Sequence, residues 1–205
     1  MTIADQSFKG TPRFQSFGGG LFEARSGGEN LVFTGTFNFT DSAEDIEQVG
    51  HVKSNKLSKI GLNLGFYWTS AASKVIPTAI LEYKKKLYVA GIFDREGDNT
   101  GYFGGIAVYD EATGIWGTVG PNGRDFWNTK PSHMIIHNDQ LVIAGAINYN
   151  NPGLPRLVDD TTFGPTLVAW NGVNYVALSH GASNVANFLV SFQGSIYISN
   201  SQSFP

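Results

Sequence analysis

The sequence predicts an all-β protein built from four-stranded antiparallel sheets, and three observations support this. The 205 residues include 13% aromatic residues and 25 glycines but only 15% charged residues, which is typical of a turn-rich, densely packed β-protein. One apolar phrase recurs as LVFTGTF, LYVAGIF and LVIAGAI at residues 31–37, 87–93 and 141–147. A partial fourth copy, IYISNS, occupies residues 196–201.

The recurrence has a regular period. Gly35 and Gly91 are 56 residues apart, Gly91 and Gly145 are 54 apart, and Gly145 and Asn200 are 55 apart. Each copy alternates or runs apolar over six or seven residues, which predicts a strand covered on both faces. Its central glycine predicts a bend or a close approach that disfavours a Cβ atom. A fixed spacing of this length indicates a structural repeat.

Each phrase is predicted to be the second strand of its unit, because an apolar run and a short polar turn precede it and form a hairpin with it. In the second unit GGIAVYD and GIWGTVG follow around the turn at 111–113, and in the third unit TLVAWN and NYVALS follow around 172–173. The first unit keeps this spacing in GHVKSNKLSKIG at 50–61 but lacks the aromatic residues, which predicts an exposed or distorted unit.

Four-stranded units of this length in tandem are what a β-propeller requires, because each small twisted sheet buries its faces only against its neighbours. We therefore expect one β-propeller at 20–205, with three full blades and a half blade. The expected blades span about 20–62, 76–120, 131–180 and 186–205, and residues 1–19 are expected to form an N-terminal arm or closing strand.

The second unit, from Ile80 to Gly120, carries the most specific pattern. Its LYVAGIF strand is followed by GGIAVYDEATGIWGTVG, with a Val-Tyr-Asp turn entry and a tryptophan two residues after Gly114. This order resembles the blades of kelch-type and galactose-oxidase-like propellers, and it is similar to the cortical-marker-type propeller as well. The chain has a single glycine in Ala90-Gly91 where the kelch family has a glycine pair. The resemblance implies a β-propeller fold.

The fourth unit supplies only two predicted strands, NFLVSFQ and SIYISNS. Two strands with apolar faces leave an unpaired edge, which folded proteins normally cover. The segment at 8–17 could add an outer strand and close a four-bladed ring, a second copy could add its own blades, or the sequence could be the first part of a longer protein. Pro12 and the glycines at 18–20 make the N-terminal segment a modest strand former, so we favour the last two together.

An acidic loop after the second repeated phrase is a candidate calcium site. Asp94, Glu96 and Asp98 occupy alternate positions and Asn99 follows, a spacing that can place oxygen ligands around a hard cation. The loop lacks the glycine and the bidentate glutamate of an EF-hand, and an ordinary solvated loop is the favoured alternative. No other cofactor is predicted.

Two segments between the predicted blades, GFYWTSAASK and GRDFWNTKPS, carry candidate binding residues. Tyr67 and Trp68 occupy similar places to Phe126 and Trp127, where they could stack on sugar rings or fill a pocket of a protein partner. The favoured alternative is that these side chains wedge between adjacent blades, because aromatic residues bury large areas.

The sequence contains no Gly-x-Ser-x-Gly, phosphate-loop or HExxH motif, and no catalytic residue is predicted. His133 and His137 lie on one predicted strand about 13 Å apart, too far to share one ion. The galactose-oxidase resemblance raises the question of a copper radical site. That chemistry needs a cysteine beside the modified tyrosine, and the chain has none, so this activity is excluded.

The net charge of −3 and the isoelectric point of about 5.7 argue against nucleic acid as a partner. The sequence shows neither a signal peptide nor a run of eighteen apolar residues that would span a membrane. The expected function is a non-catalytic structural or interaction propeller, with protein partners or self-association completing the fourth blade, in a phage virion or tail or a surface adhesin. The alternatives are a lectin-like, carbohydrate-binding propeller and an enzyme whose site is built from loops in the propeller channel.

Overall fold

A computed structural model describes residues 18–24, 30–41, 44–53, 56–60, 66–68, 73–75, 77–96, 103–120, 130–146, 165–180 and 186–200. These residues form strands and turns and contain no helix, so none of them provides an apolar helix that could cross a membrane. In chain order the strands are β1 (Gly18–Ala24), β2 (Asn30–Asp41), β3 (Glu44–Lys53), β4 (Lys56–Lys59), β5 (Phe66–Trp68), β6 (Ser73–Lys74), β7 (Pro77–Tyr83), β8 (Lys86–Gly91), β9 (Arg95–Glu96), β10 (Ile106–Asp110), β11 (Ile115–Thr118), β12 (Lys130–His137), β13 (Gln140–Ala146), β14 (Pro165–Trp170), β15 (Tyr175–His180), β16 (Ala186–Phe192) and β17 (Ser195–Asn200).

The described strands form three four-stranded antiparallel sheets. Sheet 1 has the order β1-β2-β3-β4, sheet 2 the order β7-β8-β10-β11 and sheet 3 the order β12-β13-β14-β15. The β16–β17 hairpin is a two-stranded sheet, and β6-β5-β9 form a separate three-stranded sheet. These sheets confirm the prediction of an all-β fold of four-stranded antiparallel units. In the part of the chain that the structure describes, no closed propeller is detected.

The repeated phrase lies on the second strand of each unit, as predicted: β2, β8, β13 and β17. Residues 87–91 and 141–145 are buried, so those two copies are covered on both faces as expected. The fourth copy departs from the expectation, since Tyr197 is 53% exposed and Ile198 is 40% exposed. The first unit forms a complete four-stranded sheet, with a register shift in β2 between Thr34 and Asn38.

The first strand pair carries a one-residue register shift in all four units. It lies between Gly18 and Leu21 in β1, and in the other units the extra residue is Thr78 in β7, Ser132 in β12 and Asn187 in β16. The Thr78 hydroxyl lies 3.2 Å from the carbonyl oxygen of Ala90, and the Ser132 hydroxyl lies 3.3 Å from that of Ala144. A bulge of this kind increases the local twist of the strand pair, so its recurrence gives the units a common shape.

The hairpins β7–β8, β12–β13 and β16–β17 also share a turn. Each is closed by two residues with positive φ: Lys84 and Lys85, Asn138 and Asp139, and Gln193 and Gly194. Two positive φ values in a two-residue connection define a type I′ turn, whose twist matches that of the flanking strands. The same local geometry therefore sets the register of β7–β8, β12–β13 and β16–β17.

The sheets stack face to face in chain order. The first strands of successive units are in contact, β1 with β7, β7 with β12 and β12 with β16. Buried side chains fill the three boundaries. The boundary between sheets 1 and 2 contains Val32, Leu87 and Trp116. The boundary between sheets 2 and 3 contains Tyr88, Ile106 and Ile143, and the boundary between sheet 3 and the hairpin contains Val142, Ala169 and Leu189. The face that each sheet turns toward the next sheet in the chain is its forward face.

Candidate functional site

The structure places the first residue of the predicted calcium loop in a buried position. Asp94 is 5% exposed, and its carbonyl oxygen accepts a hydrogen bond from the backbone N–H of Phe103 at 2.7 Å. This bond closes the base of the loop. Asp98, Asn99 and the side chain of Glu96 lie outside the described residues, so the predicted ligand set stays a prediction. Within the described ranges, no three histidine, aspartate or glutamate side chains are grouped so that they could hold a metal ion.

The predicted aromatic segment lies beside that loop. Tyr67 and Trp68 are on β5, which pairs with β9, so that Tyr67 is in register with Arg95 and Phe66 with Glu96. The three-stranded sheet therefore brings together the aromatic segment and the start of the acidic loop, which are separate candidate sites in the sequence. The side chains of Tyr67 and Trp68 lie outside the description, as do Phe126 and Trp127 entirely.

Phe66, the neighbour of Tyr67, is a packing residue. It is 2% exposed, and its ring centroid lies 4.5 Å from that of Phe93 and 5.4 Å from that of Trp116. The Phe103 ring completes this aromatic cluster at 6.4 Å from Phe66. At this one position of the segment, the geometry is that of an aromatic wedge in the core between sheets 1 and 2.

Large apolar side chains are exposed on a different surface, the β16–β17 hairpin. On the β16–β17 hairpin Val190 is 41% exposed, Phe192 is 57% exposed and Tyr197 is 53% exposed. Val190 pairs directly with Tyr197 across the hairpin, and the ring centroids of Phe192 and Tyr197 are 6.5 Å apart. Leu189 packs toward sheet 3, so the alternate position Val190 and the side chains beside it lie on the forward face. These three residues, Val190, Phe192 and Tyr197, form the hairpin patch.

The same pair of aromatic positions is buried in sheet 2. Tyr83 directly precedes the turn, as Phe192 does, and Tyr88 is the third residue after the turn, as Tyr197 is. The Tyr83 and Tyr88 ring centroids are 6.0 Å apart, but these residues are only 2% and 5% exposed. Sheet 3 covers them, and this burial raises the pKa of the Tyr88 hydroxyl. The hairpin patch is thus the exposed counterpart of a buried sheet boundary.

Polar contacts join sheets 2 and 3 at the turn end of this buried boundary. The Tyr83 hydroxyl donates to the carbonyl oxygen of Asp139 at 2.7 Å, and the Lys84 ammonium donates to the carbonyl oxygen of Asn171 at 3.0 Å. The contact with Tyr83 is the main cause that raises the pKa of Lys84, with a further contribution from Asp139, whose carboxylate lies 3.3 Å away. Lys84 is exposed, so this ion pair contributes little to stability. On the hairpin, Gln193 occupies the position of Lys84.

The outer edge of β17 is open in the described structure, since no described strand other than β16 pairs with it. In a hairpin closed by a two-residue type I′ turn, Phe192 and Ser195 are the hydrogen-bonded pair next to the turn. Alternation along an antiparallel pair then directs the backbone N–H and C=O groups of Ile196 and Ile198 away from β16. In sheets 2 and 3 the corresponding edges of β8 and β13 pair with β10 and β14.

The two histidines of β12, His133 and His137, have different environments. His137 Nδ1 lies 2.9 Å from the Ser191 hydroxyl, and His137 Nε2 lies 3.0 Å from Asn138 Nδ2. The contact with Ser191 joins sheet 3 to the hairpin. His133 is half-buried, and burial lowers its pKa. Neither arrangement brings the two rings to a common ligand.

The sequence predicts the incomplete fourth unit and its two strands, but it does not single out Val190, Phe192 and Tyr197 as exposed. The available signal was the alternation of Val190 and Phe192 in NFLVSFQ, which indicates one apolar face without saying whether it is covered. Comparison of the sequence with protein-family models finds no match, and comparison with curated proteins finds none either.

Proposed function

We propose that the chain is a non-catalytic structural or interaction module of the β-propeller type, in which another polypeptide completes the fourth blade. The observation that carries the proposal is the hairpin patch. Phe192 and Tyr197 are more than half exposed, whereas Tyr83 and Tyr88 in the same positions of sheet 2 are buried by the next sheet.

Covering the two exposed rings contributes favourably to association. An aromatic side chain buries about 150–250 Å² when it is fully covered. With roughly half of that area still exposed on each of two rings, covering them contributes on the order of 5 kcal/mol at about 25 cal/mol per Å². The entropy lost on association is subtracted from this value. The open edge of β17 next to the patch offers backbone hydrogen bonds as a second contribution to an interface.

The stacking of the units supports the propeller form of the proposal. Successive first strands are in contact, β1 with β7, β7 with β12 and β12 with β16, as expected if the units are blades around a common axis. A further sheet on the hairpin patch continues that series. An open apolar sheet favours aggregation unless another polypeptide covers it. We therefore propose that the chain belongs to a permanent assembly, such as a phage virion or tail or a surface adhesin.

The mass in solution tests this proposal, measured by light scattering coupled to size exclusion. We expect copies of the 22.2 kDa chain to associate through the forward face of the hairpin rather than through the edge of β17, and we expect Tyr197→Asp to dissociate them by placing a charge in the patch. The matched control is Val173→Asp, because Val173 is 68% exposed but lies in the turn between β14 and β15. A protease-resistant monomer of 22.2 kDa, or an assembly that tolerates Tyr197→Asp, would contradict the proposal.

Carbohydrate binding is the second candidate. It is favoured by the pairing of β5 with β9, which places Tyr67 and Trp68 beside the start of the acidic loop. Aromatic rings that stack on sugars and carboxylates that accept hydrogen bonds from sugar hydroxyls are complementary parts of a binding surface. Glycan-array binding that is lost in Trp68→Ala supports this candidate, and the absence of binding at millimolar sugar contradicts it.

A further inference from the structure

We infer that the outer edge of β17 accepts the first strand of a β-hairpin from a partner protein, and that this strand has a defined sequence pattern. The pattern is Ile or Leu, then Ala and Val in either order, then Tyr or Trp, then Asp or Asn. This inference rests on the proposed function, to which it adds the chemistry of the partner and the register of its strand.

The pattern comes from the third strands of sheets 2 and 3. They read IAVYD at residues 106–110 and LVAWN at residues 167–171, each ending in an aromatic residue followed by an acidic or amide residue. Both strands run antiparallel to the second strand of their sheet in the same register. Leu87 pairs with Tyr109 in sheet 2, and Leu141 pairs with Trp170 in sheet 3. The second strand therefore meets the same kind of partner in sheets 2 and 3, whereas in sheet 1 the residues opposite Leu31 and Phe33 are Val52 and Gly50.

An aromatic pair joins the third strand to the fourth. Tyr109 is in register with Trp116, and their ring centroids are 5.2 Å apart. Trp170 is likewise in register with Tyr175, with centroids 4.4 Å apart. Such pairs add about 0.5–1.5 kcal/mol to the burial of their area.

The acidic or amide residue of the pattern organises the turn of the same hairpin. The Asp110 carboxylate accepts a hydrogen bond from the backbone N–H of Ala112 at 2.9 Å. The Asn171 side-chain oxygen accepts from the backbone N–H groups of Val173 and Asn174, each at 2.8 Å. These Asx contacts close the turn locally. The third and fourth strands therefore form one unit that a partner can supply whole.

The exposure of Ile198 favours a third strand, rather than a facing sheet, as the element that would cover it. Ile198 pairs with Leu189, which is 3% exposed and faces sheet 3, so Ile198 lies on the face that sheet 3 already covers. Ile198 is nevertheless 40% exposed, whereas Val89 and Ile143 at the same position are fully buried. A sheet on the forward face would not cover Ile198. A strand along the edge of β17 would.

The register follows from the same comparison. The aromatic residue of the incoming strand pairs with Ile196, as Trp170 pairs with Leu141, and its second residue pairs with Ile198, as Val168 pairs with Ile143. The backbone groups of Ile196 and Ile198 point away from β16 and are placed to bond this strand. Main-chain hydrogen bonds supply affinity in such strand addition, and the alternate side chains supply specificity.

A peptide experiment tests the inference. The probe is a synthetic peptide with the sequence of residues 165–180, PTLVAWNGVNYVALSH, which carries the pattern and its hairpin. We expect it to slow amide hydrogen exchange at Ile196 and Ile198 of the full chain at least tenfold, with a smaller change at Tyr197, whose N–H points to β16. The control peptide carries Trp170→Asp and should give no protection.

A variant of the chain tests the edge separately from the patch. Ile198→Pro removes an outward N–H group and leaves the bonds between β16 and β17 in place, as proline is tolerated on edge strands. We expect it to weaken peptide binding at least tenfold, whereas Val173→Asp should leave binding unchanged. Retained exchange protection at Tyr197 verifies that the hairpin of the variant is folded.

Three outcomes would overturn the inference. The first is no protection of Ile196 and Ile198 by the peptide, and the second is equal binding by Ile198→Pro. The third is an assembly of the chain alone that Ile198→Pro dissociates, because the occupant of the edge is then a second copy. None of these depends on the Tyr197→Asp mass measurement, so the proposed function can fail or stand independently.

Discussion

The hydroxyl of Thr78 donates a hydrogen bond to the carbonyl oxygen of Pro131 at 2.9 Å and so joins the first strand of sheet 2 to the first strand of sheet 3. The same hydroxyl lies 3.2 Å from the carbonyl oxygen of Ala90 within sheet 2. Thr78 is the extra residue of the bulge in β7. The bulge therefore places a side-chain donor at the boundary between two sheets, where the regular pairing of either sheet would not provide one.

Thr78→Val tests this contact, because valine keeps the branched shape of threonine and removes its hydroxyl. We expect the free energy of unfolding to fall by about 1 kcal/mol, the usual net value of one hydrogen bond. Urea denaturation followed by tryptophan fluorescence measures it. Thr118→Val on β11 is the control, because Thr118 is exposed as Thr78 is, and it should change stability by less than about 0.5 kcal/mol. Equal losses in both variants would show that the contact does not contribute.

Phe66→Ala should be the most destabilising of the substitutions considered. Phe66 is 2% exposed and packs against Phe93, Phe103 and Trp116, so its removal leaves a cavity between sheets 1 and 2. Removal of a buried phenylalanine costs about 3–5 kcal/mol. Ile115→Ala, at a position that is 44% exposed, is the matched control and should cost much less. A thermal unfolding midpoint that is the same in the two variants would argue against a packed aromatic core here.

The turn of the β16–β17 hairpin offers a stabilising substitution. Gln193 has a φ of 46°, a left-handed conformation that asparagine adopts more readily than glutamine. We expect Gln193→Asn to raise the free energy of unfolding by about 0.5 kcal/mol, because Asn-Gly is the preferred type I′ sequence. Denaturant titration would measure the gain.

Gly194→Ala is the complementary change at the same turn. Gly194 has a φ of 75°, and no described atom lies within 4 Å of a Cβ placed there, so a loss of stability would report backbone strain rather than a clash. We expect a loss of about 1 kcal/mol. Opposite signs for Gln193→Asn and Gly194→Ala would support the type I′ geometry. Equal signs would contradict it.

Stability should fall at mildly acidic pH through His133. Burial lowers the pKa of this histidine in the folded chain below the 6.5 of an unperturbed imidazole, so the unfolded chain binds the proton more readily. The stability that neutral His133 contributes is fully present above pH 6.5 and is lost as the pH falls through the pKa of His133 in the folded chain. We expect His133→Gln to flatten the decline in the urea midpoint between about pH 7 and pH 5. An unchanged profile would exclude His133 as the cause.

The arrangement of strands within each unit could be predicted from the sequence, because the signals are local. Alternation identified LVIAGAI as a strand, and the spacing to HMIIHNDQ identified its hairpin partner; both are confirmed as β13 and β12. The pairing of Tyr67 with Arg95 could not be predicted in this way. Segments this short carry almost no pattern of their own, and they pair only because the surrounding sheets place them side by side.

Local sequence determines the strand and its turn, but whether a strand face is buried is determined by the tertiary structure. LYVAG in β8 and IYISN in β17 are closely similar, and in each the tyrosine lies third after a type I′ turn. The sequence determined the strand, its turn and the face on which that tyrosine lies, since alternation and turn conformation depend on neighbouring residues alone. Only the tertiary structure decided that Tyr88 is 5% exposed and Tyr197 is 53% exposed. Burial depends on a covering sheet made of residues far away in the chain, and sheet 3 supplies that cover to Tyr88.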